Sequence, residues 1–205
     1  GLSPEEIRRR SRATDKAFEP IKLRQNVTFE DVAKIEARKI DFPGLQVDVT
    51  SARGYLYERM ASHILGYLGN PTPKQLSSPE FSNIPRQSFV GQSGIEKTYD
   101  SILRGIPGKK IVEVDALGNV IKFVRIQKPV RGNDLKLTLD VNVQMEAEKS
   151  MEDKTGAVVA LKADTGEVLA LVSAPSFNPN LFVGGIHSAD WKELLDDPKK
   201  PLMNR

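Results

Sequence analysis

Short apolar runs with helical spacing divide the chain, and several of them begin at residues that favour a helix start. Thr28 precedes a helix that should end near Lys39. Asp140 precedes one that should reach about Glu152, with Val141, Met145 and Met151 facing inward. Thr and Asp are typical first residues because their side-chain oxygens accept hydrogen bonds from free backbone N–H groups. Ser188 predicts the same for a last helix over 189–195. The pattern therefore predicts several short helices.

Two segments carry the S-x-x-E pattern of a capping box, in which Ser and Glu satisfy each other's backbone N–H groups at a helix start. Ser3 with Glu6 predicts an N-terminal helix over 3–18. Ser93 with Glu96 predicts a later helix, with apolar side chains at helical spacing and a glycine at its end. We therefore expect Glu96 to cap its own helix.

Alternation of apolar and polar residues predicts strands at other places. The predicted single strands are 45–50 and 135–139, and the predicted hairpins are 111–114 with 120–124 and 156–161 with 167–172. The second hairpin turns at 163–166, and residues 158–161 are apolar on both faces. Such strands usually lie in a sheet that is covered on both sides.

Between these elements the pattern is less regular. The segment from Ala61 to Tyr67 is apolar throughout, which fits either a strand or a short helix. Residues 70–86 contain four prolines and several serines, a composition typical of a loop with at most short helical pieces. Helices and strands together predict an α+β fold.

Charge and composition exclude several classes of function. The 205 residues carry a net charge of only +3, and nucleic-acid binders usually concentrate more positive charge. Between Gly105 and Lys136, seven Lys and Arg face three Asp and Glu. This local excess fits the solvated face of a β-ribbon or a patch for an anionic surface.

Metal, cofactor and membrane sites find little support. The chain has no Cys, and its two His, His63 and His187, lie far apart in sequence, so we expect neither a cofactor nor a metal. Its apolar runs are shorter than the roughly 18 residues of a membrane span, and its first residues do not resemble a signal peptide. We expect any membrane anchor to lie outside this chain.

Two tripeptides spell signatures of serine enzymes that react with penicillin, K-T-G at 154–156 and S-x-N at 176–178. These enzymes also need S-x-x-K, in which Lys lies one helical turn from the nucleophilic Ser. No Ser in the chain is followed by Lys three positions later. We therefore assign no catalytic residue and expect both tripeptides to be structural, the first entering a hairpin and the second forming a turn.

Longer blocks nevertheless resemble one family. "GAVVALKADTGEVLALVSAPSFNPNLF" is similar to the opening hairpin of the transpeptidase domain of penicillin-binding proteins, and "LKLTLDVNVQ" to the entry into that domain. "GQSGIEKTYDSILRGIPG" resembles the family's G-x-x-G-I-E block, and "HILGYLG" its H-x-x-G-Y segment. "HSADWKELLDDPKKPLMNR" narrows the resemblance to class B, closest to the members of the elongation machinery. The chain departs from the family's R-x-Y-P at Leu56, where Pro is common.

The resemblance implies an elongated α+β pedestal, or dimerisation, domain of helices and a β-ribbon over 1–133. The start of the transpeptidase domain would follow over 134–205, as a strand, a helix, a β-hairpin and a helix. It also implies D,D-transpeptidation of peptidoglycan in cell-wall elongation and cell-shape maintenance, by acylation of Ser and release of D-Ala. In the family, S-x-x-K follows an N-R dipeptide, and this chain ends at Asn204-Arg205. We therefore expect the chain alone to be inactive.

The resemblance also implies partners on the periplasmic side of the bacterial inner membrane. These are a SEDS-family glycosyltransferase, scaffold proteins of the rod complex and, as a further option, a second copy of the chain. Peptidoglycan and β-lactams would bind only through the missing catalytic part. Candidate contact regions are 3–18 and 53–67. The candidate structural or partner-contact residues are Arg53, His63, Tyr67, Gly94 and Glu96.

Each candidate also has an ordinary structural interpretation. A single His before apolar residues most often packs and hydrogen-bonds, as for His63, and Gly94 fits a backbone requirement. Two alternatives for the whole chain stay open at this point. One is a self-sufficient, non-catalytic scaffold module of the cell-wall synthesis complex, and the other is an exported α+β domain with accidental similarity.

Overall fold

The computed structural model describes residues 3, 5, 7–9, 21–25, 27–42, 44–81, 84, 88–115 and 120–205. These residues fall into two compact units. The first unit comprises Gly1–Ser51 with Lys109–Gln127, and the second comprises Ala52–Gly108 with Lys128–Arg205.

Helices and short antiparallel strands alternate along the described chain. In order, they are α1 (Phe29–Ala37), α2 (Ser62–Leu65), β1 (Leu68–Gly69), α3 (Pro73–Leu76), β2 (Val90–Gly91), α4 (Gly94–Thr98), α5 (Asp100–Leu103), β3 (Lys109–Val114), β4 (Val120–Gln127), α6 (Val141–Lys149), β5 (Gly156–Leu161), β6 (Val168–Ala174) and α7 (Ser188–Asp196). Short 3-10 helices lie at Pro79–Phe81 and Pro179–Phe182. The α+β class is as predicted.

The first unit contains α1 and the β3–β4 ribbon. Thr28 caps α1, because its hydroxyl accepts from the Asp31 N–H at 3.1 Å while the Asp31 carboxylate reaches back to the Thr28 N–H. The predicted hairpin is confirmed as an antiparallel pair from Lys109↔Gln127 to Val114↔Val120, and its predicted turn lies outside the described residues. Residues 5 and 7–9 are helical, and the rest of the predicted N-terminal helix lies mostly outside the described residues.

The predicted strand over 45–50 is wrong. Leu45 and Val47 are half-buried, as the alternation predicts, but Val49 is 98% exposed and the stretch is irregular. A strand needs a neighbour to pair its backbone groups, and no described strand pairs with this stretch.

The second unit holds the buried apolar side chains of the described residues. Its largest sheet is the β5–β6 hairpin, in register at Val158↔Val172, and α6 packs against it. The core side chains are Tyr55, Ala61, Val90, Ala170, Val172, Ala174, Phe177 and Phe182. The predicted hairpin is confirmed, but its outer face is open among the described residues, with Val159 55% and Leu161 59% exposed.

Helix α6 begins as predicted and packs differently. The Asp140 carboxylate accepts from the N–H groups of Asn142 and Val143 at 2.8 and 3.1 Å. The expected inward residue Met145 is 47% exposed, whereas the Gln144 side chain is fully buried. Gln144 faces the outer edge of β6, where a polar side chain satisfies backbone groups that an apolar one would leave unpaired.

The predicted strand over 135–139 is also irregular. Two hydrogen bonds join this stretch and the adjoining Asp140 to β6. The Thr138 hydroxyl donates to the Val168 carbonyl at 2.7 Å, and the Asp140 N–H donates to the Leu169 carbonyl at 2.9 Å. Two contacts hold the chain beside β6 without forming a ladder.

Of the remaining predictions, some agree with the structure and others do not. The ambiguous segment 61–67 forms α2 and then leads into β1, and the loop over 70–86 contains only short helical pieces, as expected. The helix predicted after Ser93 is interrupted at Tyr99. The last helix starts at Ser188 itself, so His187 occupies the capping position and the predicted Ser188 cap is wrong.

Candidate functional site

The predicted site residues all lie in the second unit, where Arg53 and Glu96 form a partly buried ion pair. Arg53 Nε lies 2.7 Å from Glu96 Oε1, and its Nη2 donates to Oε2 at 3.1 Å. The Tyr55 hydroxyl donates to the same carboxylate at 3.4 Å. Glu96 is only 6% exposed. This geometry overturns the predicted capping box, because Ser93 makes no side-chain cap and Glu96 turns towards Arg53 and Tyr55 instead.

Burial governs the protonation of this cluster. It raises the pKa of Glu96, and the nearby Arg53 guanidinium offsets part of that rise. Burial and the Glu96 carboxylate likewise raise the pKa of the Tyr55 hydroxyl, which stays protonated and remains a donor. The cluster therefore holds one buried carboxylate between a cation and a hydroxyl. The cluster links the segment that carries Arg53 and Tyr55 to α4, which carries Glu96.

His63 and Tyr67 join a cluster of aromatic rings. The His63 ring meets the edge of Phe177 at 5.2 Å between centroids, and Tyr67 stacks on Phe182 at 3.9 Å. Phe182 also meets the Trp191 ring edge-on at 6.2 Å. Edge-on and offset pairs of this kind add to the stabilisation from buried area. Trp191 therefore packs its helix against the 3-10 turn at Phe182.

His63 is neutral in this environment. Burial lowers the pKa of His63, and the Pro175 carbonyl, 3.3 Å from Nε2, offsets part of that shift. Burial also raises the pKa of the Tyr67 hydroxyl. His63 thus packs and hydrogen-bonds without a charge at neutral pH.

Gly66 and Gly94 lie where two chain segments cross. Both have positive φ, +78° and +57°. A Cβ at Gly94 would overlap the Ile64 carbonyl oxygen, and one at Gly66 would overlap the Ser93 carbonyl oxygen. Only glycine fits such an approach without displacing backbone.

A cavity of about 230 Å³ lies beside this crossing. Its lining residues are His63, Tyr67, Ser93, Gly94, Phe177, Leu202 and Asn204. The structure thus brings His63, Tyr67 and Gly94 to one place and pairs Arg53 with Glu96. Arg53, His63 and Tyr67 belong to segment 53–67. Gly94 and Glu96 belong to α4, against which that segment packs.

Sequence reasoning missed the polar side chains that hydrogen-bond this segment to residues distant in sequence. The Asn180 amide bonds both backbone groups of Tyr55, accepting from its N–H and donating to its carbonyl at 2.9 Å each. Glu148 Oε1 accepts from the Ala61 N–H at 2.7 Å, and the Ser62 hydroxyl accepts from the Phe177 N–H at 3.4 Å. No local pattern marks these residues, because their partners lie far away in the sequence.

The two tripeptides make local contacts. The Lys154 ammonium donates to the Ser150 carbonyl at 2.9 Å, in the turn that follows α6. Asn178 accepts from the Asn180 N–H at 2.9 Å and caps the 3-10 turn, and Phe177 is buried. The first tripeptide therefore leads from the turn after α6 into β5, and the second leads into the 3-10 turn.

The described residues offer no cluster of three or more His, Cys, Asp or Glu that would hold a metal ion. Among the helices of the described ranges, none has the length and apolar character that a bilayer crossing requires.

Comparison with known protein families shows which family the chain belongs to. The penicillin-binding protein dimerisation domain matches residues 1–137. The chain belongs to this family. The resemblance predicted from the sequence blocks is thereby confirmed.

Curated relatives of the chain are peptidoglycan D,D-transpeptidases named MrdA. The protein of Acinetobacter baumannii is 38% identical over 94% of this chain and 29% of its own length. That of Escherichia coli K12 is 37% identical over 96% of this chain and 32% of its own length. The chain thus spans about a third of these relatives and lies within the peptidoglycan transpeptidase family.

Solved structures agree. The complex between PBP2 and MreC from Helicobacter pylori matches all of this chain and 38% of its own, with a TM-score of 0.80 and 33% identity. Pseudomonas aeruginosa PBP2, in complex with WCK 5153, matches 78% of this chain and 32% of its own, with a TM-score of 0.62 and 32% identity. These matches support the predicted kinship with penicillin-binding protein 2.

Proposed function

We propose that this chain is the pedestal and the beginning of the catalytic domain of a D,D-transpeptidase of cell-wall elongation. The pedestal spans 1–133 and the transpeptidase part begins at 134. The chain positions the catalytic domain and contacts partners on the periplasmic side of the inner membrane. It does not carry the catalytic serine.

One observation supports the positioning role above all. Segment 53–67, on the pedestal side of the proposed boundary, is bonded at several points to residues 148–182 on the other side. The bonds of Asn180, Glu148 and Ser62 fix backbone groups rather than mobile side-chain ends. Hydrogen bonds to backbone groups and stacked rings leave segment 53–67 little freedom to move relative to residues 148–182.

The absence of an S-x-x-K pattern from these 205 residues supports the same assignment. None of the chain's Ser residues has Lys three positions later, and the K-T-G and S-x-N tripeptides make local contacts that join neighbouring elements. We expect the 205-residue chain to stay unlabelled by a fluorescent penicillin, whereas a longer form of the protein that includes an S-x-x-K segment should be labelled. Stoichiometric labelling of the shorter chain, abolished by excess unlabelled penicillin, overturns the assignment.

The proposed partner is a scaffold protein of the MreC kind, since the Helicobacter pylori relative was solved in complex with MreC. We expect the MreC of the same bacterium to bind the 205-residue chain in a calorimetric titration. A SEDS-family glycosyltransferase and a second copy of the chain are further proposed partners. Absence of MreC binding to both the short chain and the longer form contradicts the scaffold proposal.

A further inference from the structure

The segment from Tyr55 to Ala61 forms a turn with unusual backbone geometry. Glu58 and Ala61 have positive φ, 49° and 54°, a conformation that residues other than glycine seldom adopt. Leu56 at the tip is 90% exposed. Such geometry persists where the surroundings determine it from outside.

Both ends of this 55–61 turn are held by distant side chains. Asn180 bonds the N–H and the carbonyl of Tyr55 at its beginning. Glu148 Oε1 accepts from the N–H of Ala61 at its end. The turn therefore takes its shape from residues on α6 and after β6.

The same Glu148 oxygen belongs to a second contact. It accepts from Gln144 Nε2 at 2.7 Å. The Gln144 amide in turn bonds both backbone groups of Leu171 on β6, accepting from its N–H at 2.8 Å and donating to its carbonyl at 3.0 Å. Gln144 is 1% exposed, so water does not replace a lost partner there without structural change.

We propose that Glu148 is a positioning residue that couples the 55–61 turn to strand β6. Its single oxygen Oε1 orients the buried Gln144 amide and fixes the Ala61 backbone together. A shift of the turn moves that oxygen, and Gln144 passes the shift to Leu171. Asn180 closes the path, because it lies six residues after the end of β6 and bonds Tyr55 at the other end of the turn.

This coupling deepens the proposed function, on which its consequence rests. The turn belongs to the segment expected to contact partners, and β6 belongs to the proposed transpeptidase part. A partner that displaces the turn would reach the catalytic domain through Glu148 and Gln144.

Hydrogen exchange of individual backbone amides in the 205-residue chain tests the coupling. Glu148→Leu removes the acceptor, so the Ala61 amide should exchange roughly tenfold faster. The Leu171 amide, which donates to Gln144 rather than to Glu148, should also exchange several-fold faster. Gln144→Leu should in return speed exchange at the Ala61 amide, which donates to Glu148 rather than to Gln144.

Two matched variants separate coupling from loss of stability. Glu148→Gln keeps an acceptor oxygen and should leave exchange at Leu171 within about twofold of the original. Glu146→Leu changes the same charge at an exposed position of α6 and should change neither amide. An equal acceleration at all amides, including those between β5 and β6, or an effect of Glu148→Leu confined to Ala61, overturns the proposal.

The consequence is tested in the longer, penicillin-reactive form. Glu148→Leu should abolish any effect of MreC on the rate of penicillin acylation while leaving the Kd for MreC within about twofold. An unchanged MreC effect overturns the coupling and leaves the proposed function intact. A longer form that neither binds MreC nor reacts with penicillin overturns the proposed function, whatever the exchange data show.

Discussion

Gly94 illustrates how one residue lets two segments of the second unit approach. Its φ of +57° lies in the left-handed region, and the backbone of Ile64 and Gly66 occupies the space where a side chain would begin. The crossing brings the 63–67 segment against the start of α4, which carries Glu96. Without that approach, the segment that follows Arg53 would not pack against the helix that carries Glu96.

Replacing Gly94 by alanine should therefore destabilise the chain strongly. We expect the free energy of unfolding to fall by about 2–4 kcal/mol, since left-handed backbone and a backbone overlap both oppose the new Cβ. Urea denaturation followed by circular dichroism measures it. Gly54→Ala is the matched control, because nothing lies within 4 Å of its Cβ position and its φ is ordinary. Equal effects of the two variants would refute the crossing argument.

Half-buried His63 and buried Glu96 respond to pH in opposite directions. Burial lowers the pKa of His63 below its ordinary value of 6.5, so the unfolded chain binds more protons there and stability falls as the pH drops below about 6.5. Burial raises the pKa of Glu96 above its ordinary value of 4.5. Its contribution is fully present below about 4.5 and is lost as the pH rises through the folded-state pKa.

Single variants should separate these two contributions. His63→Phe keeps a ring against Phe177 and removes the titration, so its stability should fall less than that of the original chain between pH 7 and pH 5. Glu96→Gln should lose the part of the profile in which stability decreases as the pH rises from 4.5. Denaturant midpoints at intervals of half a pH unit provide the measurement. Profiles parallel to the original in both variants contradict the assignment of the two groups.

At the scale of elements, local signals predicted both hairpins and the helix starts at Thr28 and Asp140, whereas the caps predicted at Ser93 and Ser188 are wrong. Thr28 and Asp140 cap their helices as the sequence indicates, because a cap depends on a few neighbouring residues. Both hairpins pair as predicted, since in each the sequence places turn-forming residues between two apolar runs. The single strands at 45–50 and 135–139 failed because alternation alone does not supply a partner strand.

The failures inside the site have one physical cause. Glu96 has the spacing of a helix cap, but Arg53 and Tyr55, distant in sequence, offer it stronger partners. Gln144 lies among apolar neighbours on α6 and is the residue buried, because the edge of β6 presents an N–H and a carbonyl. Local pattern describes what a residue prefers, whereas these contacts are decided by what the rest of the fold leaves unpaired.

The two faces of the β5–β6 hairpin should differ in their tolerance of truncation. Val172 is 4% exposed and Val159 is 55% exposed. We expect Val172→Ala to lower the free energy of unfolding by about 2 kcal/mol, from lost burial and the cavity left behind. Val159→Ala should cost less than about 1 kcal/mol. Thermal and urea unfolding of both variants measure this, and a larger loss for Val159→Ala would show that the outer face is covered.

At the scale of the whole molecule, one part of the proposed pedestal lies in the same compact unit as the proposed transpeptidase part. The second unit contains residues from both sides of the boundary at 133/134. Tyr55, Ala61 and Val90 are core residues before the boundary, and Phe177 and Phe182 are core residues after it. The sequence blocks predict two domains in succession, and from the shared packing we expect the stability of 52–108 to depend on residues from 134 onward.

Separating the chain at the boundary should therefore impair folding of the pedestal side. We expect a fragment of residues 1–133 to melt at a lower temperature than the whole chain, because it lacks the rings of Phe177 and Phe182 and the Asn180 bonds to Tyr55. Adding a separately produced fragment of 134–205 should restore protection from hydrogen exchange at the Tyr55 and Ala61 amides. A fragment carrying Asn180→Leu serves as the control and should restore Tyr55 poorly. If 1–133 alone melts like the whole chain, with both amides fully protected, the pedestal is independent and the rigid connection at the centre of the proposed function is wrong.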